Sequence, residues 1–300
     1  MTGRSALAAL TLLVATGAQA AEVEVINPSS AFPEGPLWHA GQLYYVEYSA
    51  NTVMAWDGKD NRQVWQQDGC GPSAVVAAPD GNFLVTCYDA DNLVRITPQG
   101  ETLETLAQDA DGWPFLGPND AVADARGGVY FSASGKWDAT APIEGKVLYL
   151  APEGAIAAVA DDIHYANGLA LSPDGSTLYV SEMAAQRVLK FEVEPDGTLG
   201  RRYLFARLVD LAADPAGVDI YAGPDGLRTD SAGNLYIAHF EGGRILVADP
   251  KGSLVDIIDV PARYVTNLTF GESEDVLFVT AATDAWTEPY PGEVYRIERR

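Results

Sequence analysis

Short segments in which apolar and polar residues alternate recur along the chain, separated by turns rich in Gly and Pro. Segments such as "STLYVSE" and "GNLYIAHF" alternate with a period of two, which is expected of a strand with one buried face. Few stretches show helical spacing, and the chain contains 29 Gly and 18 Pro. The pattern therefore predicts an all-β protein built from many short strands.

Six copies of one unit organise these strands. The copies begin at positions 34, 73, 119, 167, 225 and 267. Each copy reads as a strand, a turn, a second strand, a loop and a third strand. A fourth strand is predicted between successive copies, at 62–67, 101–107, 155–161, 201–208 and 253–260. The sixth copy has no such strand after it, whereas residues 22–26 ("EVEVI") form an unassigned strand at the other end.

These units predict a closed six-bladed β-propeller that occupies residues 22–300 as a single domain. The last blade is completed by the strand near residue 22, so that the ring leaves no exposed sheet edges. Two stacked sandwiches are the alternative all-β arrangement. They do not explain why six units share one layout.

The first 21 residues differ in kind from the rest. Arg4 precedes an apolar run from Ala6 to Gly17, and "AQA" offers small residues for cleavage after Ala20 or Ala21. The run is too short to span a membrane as a helix. We therefore predict that residues 1–21 are a secretory signal peptide and that the protein is periplasmic or secreted.

The remainder of the chain is strongly acidic. The formal net charge is −23, and removal of residues 1–21 takes away one Arg and no acid. Such a surface repels nucleic acid and anionic lipid, so we expect neither as a partner. We expect a monomer that acts on a small molecule. Cys70 and Cys87 flank a predicted hairpin, where either a disulfide or two free thiols are compatible with the sequence.

One polar position recurs where the first strand of each copy begins. In four copies it lies eight residues before the turn Gly, and in the first copy it lies seven residues before it. The first strand of each propeller blade lines the central channel, so these side chains are expected to converge at one mouth of the channel. The six residues are Glu34, Ser73, Asn119, Asn167, Asp225 and Asn267.

All six side chains offer oxygen atoms. Carboxylate and amide oxygens favour a hard divalent cation, with Ca²⁺ preferred and Mg²⁺ or Mn²⁺ competing. Asn, Asp and Ser are also common turn residues, because they satisfy local backbone groups. Their recurrence at one register position favours a metal site over ordinary turns.

The segments around these residues resemble the family of senescence marker protein (regucalcin), gluconolactonase and luciferin-regenerating enzyme. They read "PEGPLW" around Glu34, "GPNDAVAD" around Asn119, "YANGLALSPDG" around Asn167 and "GPDGLRTDSAGNLYIAHFEGG" around Asp225. The resemblance covers essentially the whole chain after residue 21. It implies a six-bladed propeller with one divalent cation in the central channel, bound by Glu34, Asn167 and Asp225. Asn119 matches a position that binds the metal directly in some members of the family and lies beside the substrate in others.

The activity implied by the resemblance is hydrolysis of a sugar lactone. The cation polarises the carbonyl, and Asp225 acts as base or nucleophile. The expected cation is Ca²⁺, with Mg²⁺, Mn²⁺, Zn²⁺ and Fe²⁺ as alternatives. Asn119, Asp120 and His164 are predicted at the substrate site. Gly117 departs from the family, because the sugar-lactone branch of animal members carries there an Arg that contacts the substrate.

Aromatic residues in the loops of the same mouth are candidate walls of a substrate pocket. They are Trp113, Phe115, Tyr165, Tyr221 and Trp286.

Two other functions stay open on the same scaffold. One is an organophosphate or other ester hydrolase, and the other is a non-catalytic propeller that binds a metal or a ligand. Other chemistries have less support, because the sequence contains no G-x-S-x-G elbow and no phosphate-binding P-loop. Its three His also lack the spacing of zinc ligands.

Overall fold

The computed structural model describes residues 22–138, 140–212 and 222–299. The described residues form six four-stranded antiparallel sheets, which confirms the predicted six-bladed propeller. The predicted signal peptide lies outside these ranges. Within them, no helix is long and apolar enough to cross a bilayer.

The strands are numbered in chain order from β1 (Glu22–Ala31). The first complete sheet contains β2 (Pro33–His39), β3 (Gln42–Glu47), β4 (Thr52–Trp56) and β5 (Asn61–Gln66). The second contains β6 (Pro72–Ala77), β7 (Phe83–Cys87), β8 (Asn92–Ile96) and β9 (Thr102–Leu106). The third contains β10 (Pro118–Ala123), β11 (Val129–Ala133), β12 (Gly145–Leu150) and β13 (Ile156–Ile163).

The fourth sheet contains β14 (Ala166–Leu171), β15 (Thr177–Glu182), β16 (Arg187–Val193) and β17 (Leu199–Arg207). The fifth contains β18 (Pro224–Thr229), β19 (Leu235–His239), β20 (Arg244–Ala248) and β21 (Leu254–Asp259). The sixth contains β22 (Tyr264–Phe270), β23 (Val276–Ala282) and β24 (Pro291–Glu298), together with β1. A 3₁₀ turn (Met183–Ala185) and one short helix, α1 (Leu208–Ala212), lie between strands of the described ranges.

The ring is closed by β1, which pairs with β24 as the outermost strand of the sixth sheet. Val23 lies opposite Ile297, and Val25 lies opposite Tyr295. The strand extends to Ala31, beyond the predicted 22–26, because two register shifts after Val25 let it keep following β24. The predicted closure is confirmed, and it joins the two ends of the described chain in one sheet.

Burial changes from the inner to the outer strands of each sheet. The second strands β7, β11 and β23 are buried at every position, whereas four of the five residues of β9 are exposed. The second strands are covered on both faces by neighbouring sheets, so burial along them is continuous rather than alternating. Adjacent sheets share their cores, as where Tyr44 and Val53 pack with Val85 and Val94.

The structure pairs Cys70 with Cys87 in a disulfide. Both residues are fully buried in the core between the first two sheets. The bond links the segment just before β6 to the last residue of β7. It therefore ties together the two strand ends that lie beside the mouth of the channel.

Candidate metal centre and substrate pocket

The inner strands β2, β6, β10, β14, β18 and β22 surround the central axis, because each contacts the inner strands of both neighbouring sheets. Each also contains a register shift against its second strand, near its first residues. The shifts lie between Glu34 and Leu37, Pro72 and Ala74, Pro118 and Ala121, Ala166 and Leu169, Pro224 and Leu227, and Val265 and Asn267. A β-bulge redirects a side chain out of the regular alternation. The repeated bulge thus sets one residue per sheet at the channel mouth.

One member of the predicted ring, Asn267, does not line the cavity. In β22 the bulge lies between Val265 and Asn267, so Thr266 is the residue that it displaces. Asn267 lies one residue further along the strand. The sequence missed this because the sixth copy lacks the turn Gly from which the other copies are counted.

The other five ring residues line a single cavity of about 490 Å³ at this mouth. Their exposed fractions lie between 4% and 8%, so all five are buried. The five are Glu34, Ser73, Asn119, Asn167 and Asp225. In the sixth sheet the Thr266 hydroxyl instead donates a hydrogen bond of 2.7 Å to the backbone carbonyl of Pro33, where β22 meets β2.

Burial dominates the electrostatics of Glu34 and Asp225, the two buried acids of this cavity. Desolvation, followed by the negative charge of Asp225, raises the pKa of Glu34 well above its usual value. Desolvation, followed by the charge of Asp120, likewise raises the pKa of Asp225, against a lowering hydrogen bond from Asn167. Two acids that repel each other in a buried site are stabilised by a cation between them.

The donor set consists of carboxylate, amide and hydroxyl oxygens. Within the described residues, no three His, Cys, Asp or Glu side chains form a metal-binding group. A cation in this cavity therefore depends on Asn119 and Asn167 beside the two carboxylates. Oxygen donors without sulfur or imidazole suit Ca²⁺ or another hard divalent cation. The donors present thus fit such a cation, and its binding stays a prediction.

Hydrogen bonds between sheets fix the strands that carry these residues. The Ser181 hydroxyl in β15 donates to the backbone carbonyl of Asp225, at 2.7 Å. The Thr86 hydroxyl in β7 donates to the backbone carbonyl of Asn119, at 2.5 Å. In each case the second strand of one sheet holds the inner strand of the next. The positions of the candidate ligands thus depend on the whole ring.

Asp120 and His164, both predicted at the substrate site, do not line the cavity. Asp120 is buried beside it and accepts a hydrogen bond of 3.0 Å from the backbone N–H of Leu169, which joins β10 to β14. Burial raises the pKa of Asp120, against the lowering effect of the nearby Arg228 charge. The backbone N–H of His164 donates to Glu182 at 3.0 Å. Asp120 is therefore placed to support the strands rather than to contact a ligand in the cavity.

The five buried ring residues form the floor of the cavity, and aromatic rings form most of the wall above it. Eight such side chains line the cavity in the described part of the chain: Phe32, Tyr48, Tyr88, Trp137, Tyr165, Phe240, Trp286 and Tyr290. Tyr165 and Trp286 were predicted here. Trp113 is instead 66% exposed and Phe115 packs in the hydrophobic core, so neither lines the cavity. Tyr221 lies outside the described residues.

The sequence contained a signal for several of the missed wall residues. In four sheets the residue that directly follows the second strand lines the cavity: Tyr48, Tyr88, Met183 and Phe240. The backbone N–H of each donates a hydrogen bond to a backbone carbonyl of the same sheet. That carbonyl belongs to the residue two positions before the ring residue. The aligned copies therefore specify a second recurring position at the mouth, which is apolar.

Residues 32–283 match the family described as the SMP-30/Gluconolactonase/LRE-like region. The chain belongs to this family. The match spans most of this SMP-30/gluconolactonase/LRE-like protein and confirms the resemblance seen in the motifs. A curated relative, 6-deoxy-6-sulfogluconolactonase of Pseudomonas putida, is 28% identical over 267 residues, which cover 87% of this chain and 86% of the relative.

Solved structures of similar proteins share the fold. A gluconolactonase from Xanthomonas campestris aligns with a TM-score of 0.76 at 23% identity, over 93% of this chain and 89% of that one. A calcium-binding protein, regucalcin, from Agrobacterium tumefaciens aligns with a TM-score of 0.74 at 19% identity, over 94% and 96% of the two chains. At these identities the likeness establishes the propeller architecture of the SMP-30/gluconolactonase/LRE-like chain.

Proposed function

We propose that this SMP-30/gluconolactonase/LRE-like protein is a divalent-metal-dependent lactonase that opens lactone rings, sugar lactones included. The observation that carries the proposal is the convergence of Glu34, Asn119, Asn167 and Asp225 in one buried cavity. The cavity volume of about 490 Å³ suits a small ring compound. The name of the Pseudomonas putida relative, a lactonase, supports the same reaction.

We propose Glu34, Asn119, Asn167 and Asp225 as the residues that hold the cation. Ca²⁺ is the proposed ion, since the donors are all oxygens and the Agrobacterium tumefaciens neighbour is named as calcium-binding. A bound divalent cation supplies Lewis acidity to the lactone carbonyl and stabilises negative charge on its oxygen. The remaining steps belong to the side chains of the chain itself.

Asp225 is the proposed base. Its carboxylate accepts a proton from the water that attacks the carbonyl carbon; the ring C–O bond then breaks and the ring oxygen takes up a proton. The hydroxy acid that forms is fully ionised at neutral pH, so each turnover releases one proton. A carboxylate that binds a cation is a weak base, but burial and the charge of Asp120 act in the opposite direction on the pKa of Asp225. Direct nucleophilic attack by Asp225 is the alternative role of the same side chain.

We also propose that the protein is exported, with residues 1–21 as a signal peptide. The buried disulfide between Cys70 and Cys87 supports an oxidising compartment. Expression of the full chain in a bacterium tests this directly. Recovery in the periplasm with an N-terminus at residue 21 or 22 supports the proposal, and an uncleaved cytoplasmic protein contradicts it.

A proton-release assay over a panel of lactones tests the proposed reaction. Turnover is expected to disappear after treatment with a chelator and to return when Ca²⁺ is added back. Circular dichroism of the chelated sample establishes that the fold is retained. Undiminished turnover by folded protein that has been freed of metal contradicts the mechanism.

A further inference from the structure

The charged side chains of the cavity all have the same sign. Those that line it in the described ranges are Glu34, Asp89, Asp225 and Glu288, and no Lys, Arg or His is among them. A bound divalent cation would balance two of the four negative charges and leave the other two unbalanced. An anionic ligand would therefore lose hydration without gaining an opposing charge from a side chain.

Gly117 shows how an aromatic ring comes to occupy one side of the mouth. Its φ is +61°, and a Cβ placed on it would lie 2.7 Å from Cε2 of Tyr88. The Tyr88 ring is held there by a hydrogen bond of 2.9 Å from its hydroxyl to the carbonyl of Gly135. A side chain at this position would be strained by the backbone φ and would have to displace the Tyr88 ring. The wall is therefore aromatic where a cationic group would be needed to bind an anion.

The polar atoms of several wall rings are already bonded to protein groups. The Tyr48 hydroxyl donates to Asp89 at 2.9 Å, and the Trp286 indole N–H donates to the Tyr264 hydroxyl at 3.1 Å. Trp286 also stacks on Trp137, with ring centroids 5.4 Å apart and planes 16° apart. Trp286 is 49% exposed, which places it at the rim of the cavity. Tyr48 and Trp286 thus offer a ligand their ring faces and apolar edges.

We propose that this pocket selects lactones that carry an apolar or aromatic substituent and no negative charge. The inference rests on the proposed lactonase function and names the substrate class of the same site. The proposed substrates differ in charge from the one in the name of the Pseudomonas putida relative, which is a sulfonated, and hence anionic, sugar lactone. The apolar part of the substrate packs on the aromatic wall, while the lactone carbonyl reaches the ring of oxygen donors below.

A matched pair of aryl lactones tests the charge selection. Dihydrocoumarin and its derivative with one added ring carboxylate share the reacting group and differ in charge. The expected kcat/KM is at least tenfold higher for the uncharged compound, and glucono-δ-lactone is expected to fall below it. Equal or higher kcat/KM for the carboxylated compound overturns the proposal.

Binding measurements separate this proposal from the lactonase function. The corresponding lactams resist ring opening, and their binding to the Ca²⁺-loaded protein is followed by quenching of tryptophan fluorescence. If no lactone is hydrolysed but the uncharged lactam binds at least tenfold more tightly than the carboxylated one, the selection stands and the reaction is wrong. If the carboxylated lactam binds equally well, or neither lactam binds, the selection is wrong.

Two charge-reversal variants sharpen the test. Glu288→Lys places a cation at the exposed rim of the cavity, and Glu153→Lys makes the same change at an exposed turn that does not line it. The first is expected to shift the kcat/KM ratio about tenfold toward the carboxylated lactone, equivalent to about 1.4 kcal/mol. The second is expected to leave the ratio unchanged. Equal shifts in both variants overturn the argument from local charge.

The aromatic wall has a separate test in Trp286→Ala. The variant is expected to lower kcat/KM for dihydrocoumarin about fivefold, since one aromatic contact contributes about 1 kcal/mol. For δ-valerolactone, which has no substituent, kcat/KM is expected to change less than about twofold. Thermal melts of both proteins establish that the fold is retained. A parallel loss for both lactones contradicts selection by the wall.

Discussion

The floor and the wall of the cavity are built on different principles. The floor consists of one residue from each of five inner strands, set by a repeated bulge and held by hydrogen bonds between sheets. The wall consists of residues from the loops, which follow second strands or precede inner strands. Because the floor depends on the closed ring, its geometry is a property of the fold. The wall varies from loop to loop, and we propose that it determines which lactones this chain selects.

This contrast predicts that changes in the floor abolish the reaction, whereas changes in the wall alter only which substrates are used. The largest expected effect is that of Asp225→Asn. Loss of the base is expected to lower kcat/KM about 10²–10⁴-fold for every lactone. The measurement is proton release over the panel, together with a thermal melt.

Asp174→Asn is the matched control for this change. Asp174 lies in an exposed turn and does not line the cavity, so activity is expected to be unchanged. A loss in Asp225→Asn that is confined to aryl lactones contradicts the division between floor and wall.

Removal of the cation is the next largest perturbation of the floor. At a concentration of 100 times its Kd, a ligand that binds only the folded state adds about 2.7 kcal/mol to the free energy of unfolding. Ca²⁺ is therefore expected to raise the Tm of the chelated protein by several degrees. An unchanged Tm at saturating Ca²⁺ contradicts the proposed site.

The two raised pKa values give this stabilisation a defined pH dependence. Burial raises the pKa of Glu34 and Asp225, so the metal-free folded chain binds protons there that the unfolded chain has already released. The contribution of these groups to the stability of the metal-free protein is thus present at low pH and is lost as pH rises through the raised pKa. Because the cation replaces those protons, the gain in Tm on adding Ca²⁺ is expected to be larger at pH 8 than at pH 5. An equal gain at both pH values contradicts the assignment.

Ser181→Ala tests the support of the floor without touching the cavity. It removes the hydrogen bond to the Asp225 carbonyl, which is expected to lower the free energy of unfolding by about 1 kcal/mol. We expect kcat to fall severalfold for all lactones, with KM little changed. Ser176→Ala, in an exposed turn of the same sheet, is the control and is expected to leave kcat unchanged. Unaltered kcat in Ser181→Ala contradicts the positioning role.

The smallest effect is expected for Tyr48→Phe in the wall. The variant loses the hydrogen bond to Asp89 but keeps the ring face. We expect kcat/KM for dihydrocoumarin to change less than about threefold, because the hydroxyl donates to Asp89 and not to the substrate. A loss as large as that of Trp286→Ala contradicts the view that ring faces, rather than hydroxyls, bind the substrate.

The sequence specified the floor better than the wall, for physical reasons. The repeats predicted six sheets and their closure by β1, because strand periodicity and turn residues are local signals. The same alignment placed Glu34, Asn119, Asn167 and Asp225 at one register position. It failed at the sixth copy, where the pairing of β22 with β23, rather than a turn Gly, fixes the register.

The wall was less predictable because it depends on how loops fold back over the mouth. Phe32 and Tyr165 adopt left-handed backbone conformations, with φ of 51° and 62°. Such conformations are rare for aromatic residues, and no local sequence pattern predicts them here. The sequence placed Asp120 at the substrate site because it directly follows Asn119. In the structure Asp120 accepts a hydrogen bond from the neighbouring strand β14 and does not line the cavity. Trp113 and Phe115 show the same limit, because the direction of a loop side chain is set by tertiary packing.

The central claim is that Glu34 and Asp225 bind one divalent cation at the mouth of the channel. Calorimetric titration of Ca²⁺ into chelated protein, run in parallel on the unaltered chain and on Glu34→Gln, tests it most directly. We expect one site per chain in the unaltered protein and at least 100-fold weaker binding in the variant, which retains its fold. Equal affinity and stoichiometry in the two proteins would contradict the claim.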